Sequence, residues 1–432
     1  MNSAIISESI KIVSKTFHYI GIKMIDKQKR KDTSLIFKRQ FFDVKAQEYL
    51  PISADELLSQ HLLITGVTGS GKSSTVLTII EELKKNQQNV IVLDPTGEFR
   101  TIPNVQRIVL GDDGFFDVTH LMSDQIAHLL NITDESLLAN LPAAIESLQI
   151  QNNVVAKPGI YKKINRSQIE HDNLVEQLKI KDKYFDLSLL ANQLQEEFIT
   201  PYVDERADFS LLGQIYDKEA IAKAWSSLAQ LKQTLKNKQI RTLLLRSTKQ
   251  EIVHYDVDYL LRLFITRRAT KQSLIIDLSL FSHEQKLNQV LVEILTLQMM
   301  SIAKLNGLSF PVTIFIDEAH RYLSNDGHGN YGIFSLIREG RKLGLDLMLS
   351  TQSPLDVPVE LLGQFGSFIV QRLNTRNEMK NLLIIKEDLI DQVAHLATGE
   401  ALLKTIGRQE LKKVKVELST ISHQTENIPF GL

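Results

Sequence analysis

The chain has 432 residues, 43% of them hydrophobic and 23% charged, with a formal net charge of −1. That is ordinary globular composition, enough for one large domain or two to three small ones. It contains no cysteine, which excludes a disulfide framework and thiolate chemistry. Residues 1–15 lack the apolar core of a signal peptide, and no run reaches the ~18 apolar residues a membrane span needs. A cytoplasmic protein without membrane association is therefore expected. With so little net charge, the whole molecule has no electrostatic preference for nucleic acid. A DNA contact would have to come from a local basic surface, such as one lining a pore.

Residues 1–50 read as a short β-rich segment, with strands at Ile20–Ile25 and Ser34–Phe37 around the charged turn Asp26–Asp32. Fifty residues suffice for a hairpin or a partial barrel but hardly for an independent domain. From Leu62 the pattern becomes alternating strands and helices. The apolar run Leu62–Thr65 leads into Gly66-Val67-Thr68-Gly69-Ser70-Gly71-Lys72-Ser73, and an apolar-periodic stretch, Thr75 to Leu83, follows. Strand, glycine loop and helix in that order are the context of a phosphate-binding loop. Backbone N–H groups from Gly66 through Ser74 would converge on phosphate oxygens at a positive helix N-terminus. Lys72 would reach the β and γ phosphates, and the Ser73 hydroxyl would ligate Mg²⁺.

Asn89–Asp94 is a continuous apolar strand, as expected for a parallel strand covered on both faces. It ends in Asp94-Pro95-Thr96-Gly97-Glu98, where Asp94 and Glu98 would orient water, Mg²⁺ or an arginine; Asx-turn chemistry explains Asp94 almost as well. Residues 112–265 interrupt the alternation with helical periods at Asp117–Leu130, Asp134–Leu148, Asp186–Phe198 and Lys218–Lys236. A helical cap is the favoured reading of this insertion over a nucleic-acid-binding lid. Its basic residues Lys232, Lys236, Lys238, Arg241, Arg246 and Lys249 are what a solvated face also carries. Strands resume at Ser273–Leu278, Thr313–Asp317, Asp346–Ser350 and Ser367–Val370. Ala401–Ile406 and Lys413–Leu418 read as a hairpin, and a tail runs from 419 to 432. The expected core is thus residues 51–111 together with 266–418, an α/β fold.

Two further blocks carry chemistry. Thr313–Asp317 is an apolar strand that ends in Asp317-Glu318. Opposite a phosphate loop, Asp317 would hold the Mg²⁺ shell and Glu318 would polarise the attacking water. His320 follows, but no second His or Cys stands at ligand spacing, so a metal centre there is not expected. In Ile337-Arg338-Glu339-Gly340-Arg341, the two arginines lie three apart and share a face if helical. Offered to a neighbouring subunit, such an arginine stabilises transition-state charge; read in isolation, they fit a surface helix with ordinary ion pairs equally well. Gln352, at the end of the next strand, would sense the γ phosphate.

Taken in order, GVTGSGKSS, VIVLDPTGEF, FIDEAHRYL and REGRKLGLDLMLSTQSP resemble the HerA-like branch of the HerA/FtsK ATPases over most of residues 52–418. The resemblance implies a RecA-like P-loop core, hexameric rings, ATP bound between subunits and double-stranded DNA threaded through a central pore. It implies Lys72 and Ser73 as nucleotide and Mg²⁺ ligands, Asp317 and Glu318 as the acidic pair and Gln352 as the sensor. Arg341 would be the arginine acting in trans, with Arg338 the alternative and Arg372 a further nucleotide contact. HerA proteins begin with a β-barrel about twice the length of residues 1–50, so a reduced barrel or docking element is expected. The implied function is an ATP-driven DNA translocase or helicase acting with a partner nuclease or other effector, as in antiviral defence. The rival is an ATP-dependent ring scaffold that activates an effector without moving DNA. A conjugation-type pump fits less well, because it implies a membrane anchor.

Overall fold

The structure is a computed structural model; it describes residues 35–179, 181–244, 253–268, 273–323, 331–382, 384–408 and 410–419. The expected strand at Ile20–Ile25, the turn after it and the tail beyond 419 lie outside the described residues. The chain divides into two compact units, residues 1–110 with 259–432, and residues 111–258. The division falls inside the helix Val257–Thr266.

In chain order the strands are β1 (Ile36–Phe37), β2 (Phe41–Asp43), β3 (Glu48–Tyr49), β4 (Ile52–Ser53), β5 (Leu62–Thr65), β6 (Asn89–Asp94) and β7 (Val105–Val109). The second unit contributes β8 (Gly114–Phe115), β9 (Ile199–Thr200), β10 (Ile215–Tyr216) and β11 (Tyr255–Asp256). Then follow β12 (Ser273–Asp277), β13 (Val312–Ile316), β14 (Leu345–Thr351), β15 (Ser367–Val370), β16 (Glu400–Lys404) and β17 (Lys412–Val416).

Among the described residues, eleven strands of the first unit form one sheet, in the order β3-β2-β17-β16-β15-β5-β14-β13-β6-β12-β7. The stretch from β15 to β7 is parallel throughout, and the remaining strands pair antiparallel. β5, β6, β12, β13 and β15 are buried along their whole length. Their unbroken Val/Ile/Leu runs are the sequence counterpart of a sheet covered on both faces. β5 lies between β14 and β15, so the loop after it opens near the middle of the sheet. The helix Lys72–Lys85 packs on one face through Val76, Ile79, Ile80 and Leu83, which join Leu62, Ile64, Val92, Phe315 and Met348 in one apolar cluster.

Two features depart from the expectation. Val105–Val109, which the alternating pattern leaves unassigned, is the edge strand next to β12; it is only half buried, so its residues are mixed and its signal weak. Residues 35–53 do not stand apart as a barrel fragment. β2 pairs with β17 and β3 with β2, extending the core sheet, while β1 pairs with β4. Phe37, Phe41 and Ile52 are fully buried in the same apolar cluster as the phosphate-loop helix. Their burial ties this segment to the core.

The second unit is mainly helical: Ser123–Leu129, Glu135–Asn153, Gln168–Gln177, Leu190–Glu196, Lys218–Thr234 and Lys238–Leu244. Leu137, Leu141, Ala144 and Leu148 recur on one face of the longest helix and are buried. The carboxylates of Asp134 and Asp217 accept N–H bonds at their helix starts (Ser136 N 3.0 Å, Ala220 N 2.9 Å). The parallel pair β8–β11 joins the beginning of this unit to its end. Of the basic residues noted in the sequence, Lys236, Lys238 and Arg241 are exposed, while Arg246 and Lys249 lie outside the described residues. Among the described residues, no helix is long and apolar enough to cross a membrane.

Candidate nucleotide site

The parallel strands deliver five loops to one edge of the sheet: the glycine loop after β5, Asp94–Glu98 after β6, Asp317-Glu318 after β13, Gln352 after β14, and Gln371-Arg372 after β15. Ligands of open parallel sheets bind outside the carboxyl ends of the strands for this reason. A cavity of about 700 Å³ opens here, lined by Val67, Thr68, His320, Gln352, Arg372 and Asn374 among others. That volume lies in the range of small-molecule sites.

The loop's shape requires glycine at two positions. A Cβ on Gly66 would stand 2.7 Å from both Gln371 Cβ and Ser70 Oγ. Gly71 starts the helix at φ +109°, a conformation disfavoured for any other residue, and a Cβ there would meet Gly399 N at 3.1 Å. The loop is braced from outside. The Val67 N–H donates to Arg372 O (2.9 Å), the Gly399 N–H to Ser70 O (3.0 Å), and the Thr398 hydroxyl to Gly69 O (3.2 Å). Beneath it, the Gln371 carboxamide is fully buried; its oxygen accepts from Ser70 Oγ (2.9 Å) and its nitrogen donates to Thr75 Oγ1 (2.8 Å).

Lys72 folds over the loop, and its ammonium donates to Gly66 O at 2.6 Å. Burial pulls its pKa below the ordinary lysine value, and the charges of Glu318, Asp317 and Glu98 oppose that shift. The Ser73 hydroxyl donates to Glu98 Oε2 at 3.3 Å. Ser74 lies in the first helical turn, where its carbonyl accepts from Thr78 Oγ1 (3.0 Å). Asp317 is buried and accepts a close hydrogen bond from Ser350 Oγ. Burial, with Glu318 and Glu98 nearby, pushes its carboxyl up to about 7.

Glu318 adopts a left-handed backbone conformation (φ 49°), strain of the kind that collects at functional sites. Its carboxylate accepts from Gln352 Nε2 at 3.2 Å and pairs with His320 Nδ1 at 3.1 Å. Burial pushes it up, but His320, Gln352 and Lys72 outweigh burial and hold it below the ordinary glutamate value. In turn, Glu318 raises the pKa of His320. Thr68 Oγ1 donates to Gln352 Oε1 at 3.3 Å, so Gln352 links the glycine loop to Glu318.

Asp94 resolves as a turn residue. Its Oδ1 accepts from Gly97 N (2.7 Å) and Glu98 N (3.2 Å), and its Oδ2 from Phe99 N (3.0 Å). Burial raises its carboxyl to about 6. Arg338 and Arg341 are not brought to this edge. Both are exposed, and they precede β14, whose far end carries Gln352. Seven residues at ~3.3 Å each put them roughly 20 Å from the glycine loop of their own chain. Gln371, Ser350 and Thr398 went unassigned in the sequence. For Ser350 and Gln371 the available signal is a polar residue at or just after the end of an apolar strand, and it is weak because strands end in polar residues for many reasons; Thr398, in the loop before β16, carries no such signal.

Comparison with known proteins agrees with this architecture. The family model described as the central domain of helicase HerA matches residues 44–297, more than half of the chain. The DNA double-strand break repair helicase HerA of Sulfurisphaera tokodaii is 25% identical over 362 residues, covering 80% of this chain and 62% of that protein. A probable helicase of Methanocaldococcus jannaschii is 23% identical over 378 residues, covering 84% and 67%. The chain therefore spans about 62% of the length of the Sulfurisphaera relative. Among solved structures, VirB4 of Thermoanaerobacter pseudethanolicus superposes with a TM-score of 0.54 at 13% identity, covering 90% of this chain and 98% of that one. The bacterial conjugative coupling protein TrwB gives 0.52 at 15% identity, covering 92% of each chain. These likenesses show a RecA-like P-loop fold. From the glycine loop, the acidic strand end and the matched central domain together, the chain belongs to the HerA helicase family.

Proposed function

We propose that this chain is an ATP-hydrolysing DNA translocase that works as a hexameric ring. The observation that carries the reading is the line Thr68–Gln352–Glu318, which joins the glycine loop to a carboxylate held in its charged form beside Asp317. Backbone N–H groups of Gly66 to Ser74 and the Lys72 ammonium bind the phosphates of ATP. The donor set for Mg²⁺ is all oxygen, the Ser73 hydroxyl and the Asp317 carboxylate, which suits a hard cation. The fit is also electrostatic: burial, with a smaller contribution from the charges of Glu318 and Glu98, raises Asp317 to about 7, and a divalent cation would favour its charged form. Bound there, Mg²⁺ would neutralise charge on the phosphate oxygens. Glu318 takes the proton of the attacking water, and Gln352 orients that water and reports the γ phosphate. Arg341 of a neighbouring copy, with Arg338 the alternative, completes the site; its distance from its own loop supports a role in trans. Arg372 lines the cavity as a further nucleotide contact.

Duplex DNA as the substrate is supported by the HerA relatives, whose names describe DNA repair helicases. A partner nuclease or other effector, as in an antiviral defence pair, is an extension by family resemblance. Sizing and ATPase assays on the purified chain, with and without ATP and duplex DNA, test the reading. Rings that form with ATP and hydrolyse faster on DNA are expected. Assembly with ATP but no stimulation by DNA would favour the ring scaffold. A monomer under every condition would overturn both.

A further inference from the structure

His61 directly precedes β5, the strand that ends in the glycine loop, and is 2% exposed. Its backbone turns through a left-handed conformation (φ 62°), which is strained for a non-glycine residue. Both ring nitrogens are engaged. The Leu347 N–H donates to Nδ1 at 2.9 Å, so the proton sits on Nε2, which donates to Ile337 O at 3.0 Å. The Phe365 ring packs edge-on against the imidazole, with centroids 6.4 Å apart.

The two partners bracket one segment. Ile337 stands near the end of the helix Tyr331–Glu339, where carbonyls run out of intrahelical partners. Leu347 is the third residue of β14. Between them lie Arg338 and Arg341, both exposed. One buried side chain at the start of the phosphate-loop strand therefore holds both ends of the turn that displays the arginines.

We propose that His61 is a positioning residue: its imidazole fixes the arginine-bearing turn 338–346 to β5, so that the nucleotide state of one subunit sets the arginine it offers to the next. The inference rests on the reading of Arg341 as the arginine acting in trans. The glycine loop lies at one end of β5 and the clasp at the other. The strand transmits a displacement because it is paired along its length with β14 and β15.

Complementation in mixed rings tests this. Asn tolerates the left-handed backbone and offers an acceptor to Leu347 N, but it is too short to donate to Ile337 O. The variant His61→Asn should bind a fluorescent ATP analogue within about threefold of the parent while turnover drops about tenfold or more, since small misplacements of a catalytic group cost this much. Its own site is intact and its arginine misplaced, so mixing with Glu318→Gln subunits should restore turnover and mixing with Arg341→Ala subunits should not. Restoration by Arg341→Ala overturns the inference. So does failure of Glu318→Gln to rescue His61→Asn in rings where it rescues Arg341→Ala. If Arg341→Ala itself is not rescued in rings shown to be mixed, the arginine assignment falls and the inference falls with it. Should His61→Asn fail to fold, hydrogen exchange on the parent chain decides. A non-hydrolysable ATP analogue should slow exchange of the Leu347 amide together with the β5 amides, and protection of β5 without Leu347 overturns the clasp.

Discussion

The two ends of the parallel sheet differ in kind. At the carboxyl ends of the strands, polar groups crowd together and bond to one another: Gln371 to Ser70 and Thr75, Gln352 to Thr68 and Glu318, Ser350 to Asp317. At the opposite end, one buried imidazole serves an exposed pair of arginines. The first end is a nearly complete binding site for a polyphosphate. In the proposed reading, the second acquires its role when set against another copy. On that reading each end supplies half a site, so changes at the two ends should fail differently.

The largest effect is expected at the first end. Lys72→Ala removes the cation that the loop folds around and should abolish nucleotide binding and turnover together, read by analogue titration and phosphate release. Normal turnover in that variant would break the assignment of this end altogether. At the second end, Arg341→Ala should leave binding nearly unchanged while turnover falls by about 10³-fold or more, the range of arginines supplied in trans. A loss of affinity equal to the loss of turnover would erase the distinction between the ends.

How much of this was legible in the sequence follows from the same contrast. The glycine loop, Asp317-Glu318 and Gln352 announce themselves because each follows a mainly apolar strand, and parallel strands bring their carboxyl ends to one edge. The buried parallel strands were readable for the same reason. The braces were not. Gln371 and Thr398 reach the loop from 301 and 329 residues away in the chain, and nothing local marks a polar residue as the partner of so distant a group. His61 reads as a polar residue before a strand, and its burial depends on a helix and a strand 276 and 286 residues later. That residues 35–53 extend the core sheet is not legible either, because β2 finds its partner in β17, at the far end of the chain.

A pH series sharpens the comparison further. Burial holds the pKa of His61 down to about 4 against an ordinary 6.5, with the Ile337 carbonyl opposing that shift and Arg341 adding to it. Between those values the unfolded chain binds a proton that the folded chain refuses, so the contribution of His61 to stability is lost as pH falls from 6.5 towards 4, by up to about 3 kcal/mol. Asp317 and Asp346, raised to about 7, and Asp94, raised to about 6, act with the opposite sign. They are common to the parent and to His61→Asn, so the difference between the two unfolding curves isolates the imidazole. The parent's advantage over His61→Asn should shrink as pH drops from 7 to 4.5, and an advantage that stays constant would mean that the ring is not buried neutral.

The smallest effect is expected from Gln371→Leu, and it discriminates best. Leucine is close in volume to glutamine and keeps the site filled, but it leaves the Thr75 hydroxyl without this partner while Ser70 keeps its bond to Val67 O (2.7 Å). Losing a buried partner costs about 1–3 kcal/mol, visible as a lower unfolding midpoint. The brace lies under the loop and touches no group that takes part in hydrolysis, so the functional loss should fall on ATP affinity, a few-fold in KM, with kcat preserved. That is the inverse of the pattern expected for His61→Asn, which keeps affinity and loses turnover. Two buried polar side chains flank the same strand, one at each end, and the two kinetic constants should separate them. If Gln371→Leu instead lowered kcat and left KM alone, the carboxyl end of the sheet would not be a preformed phosphate cradle, and the division of labour between the two ends would have to be redrawn.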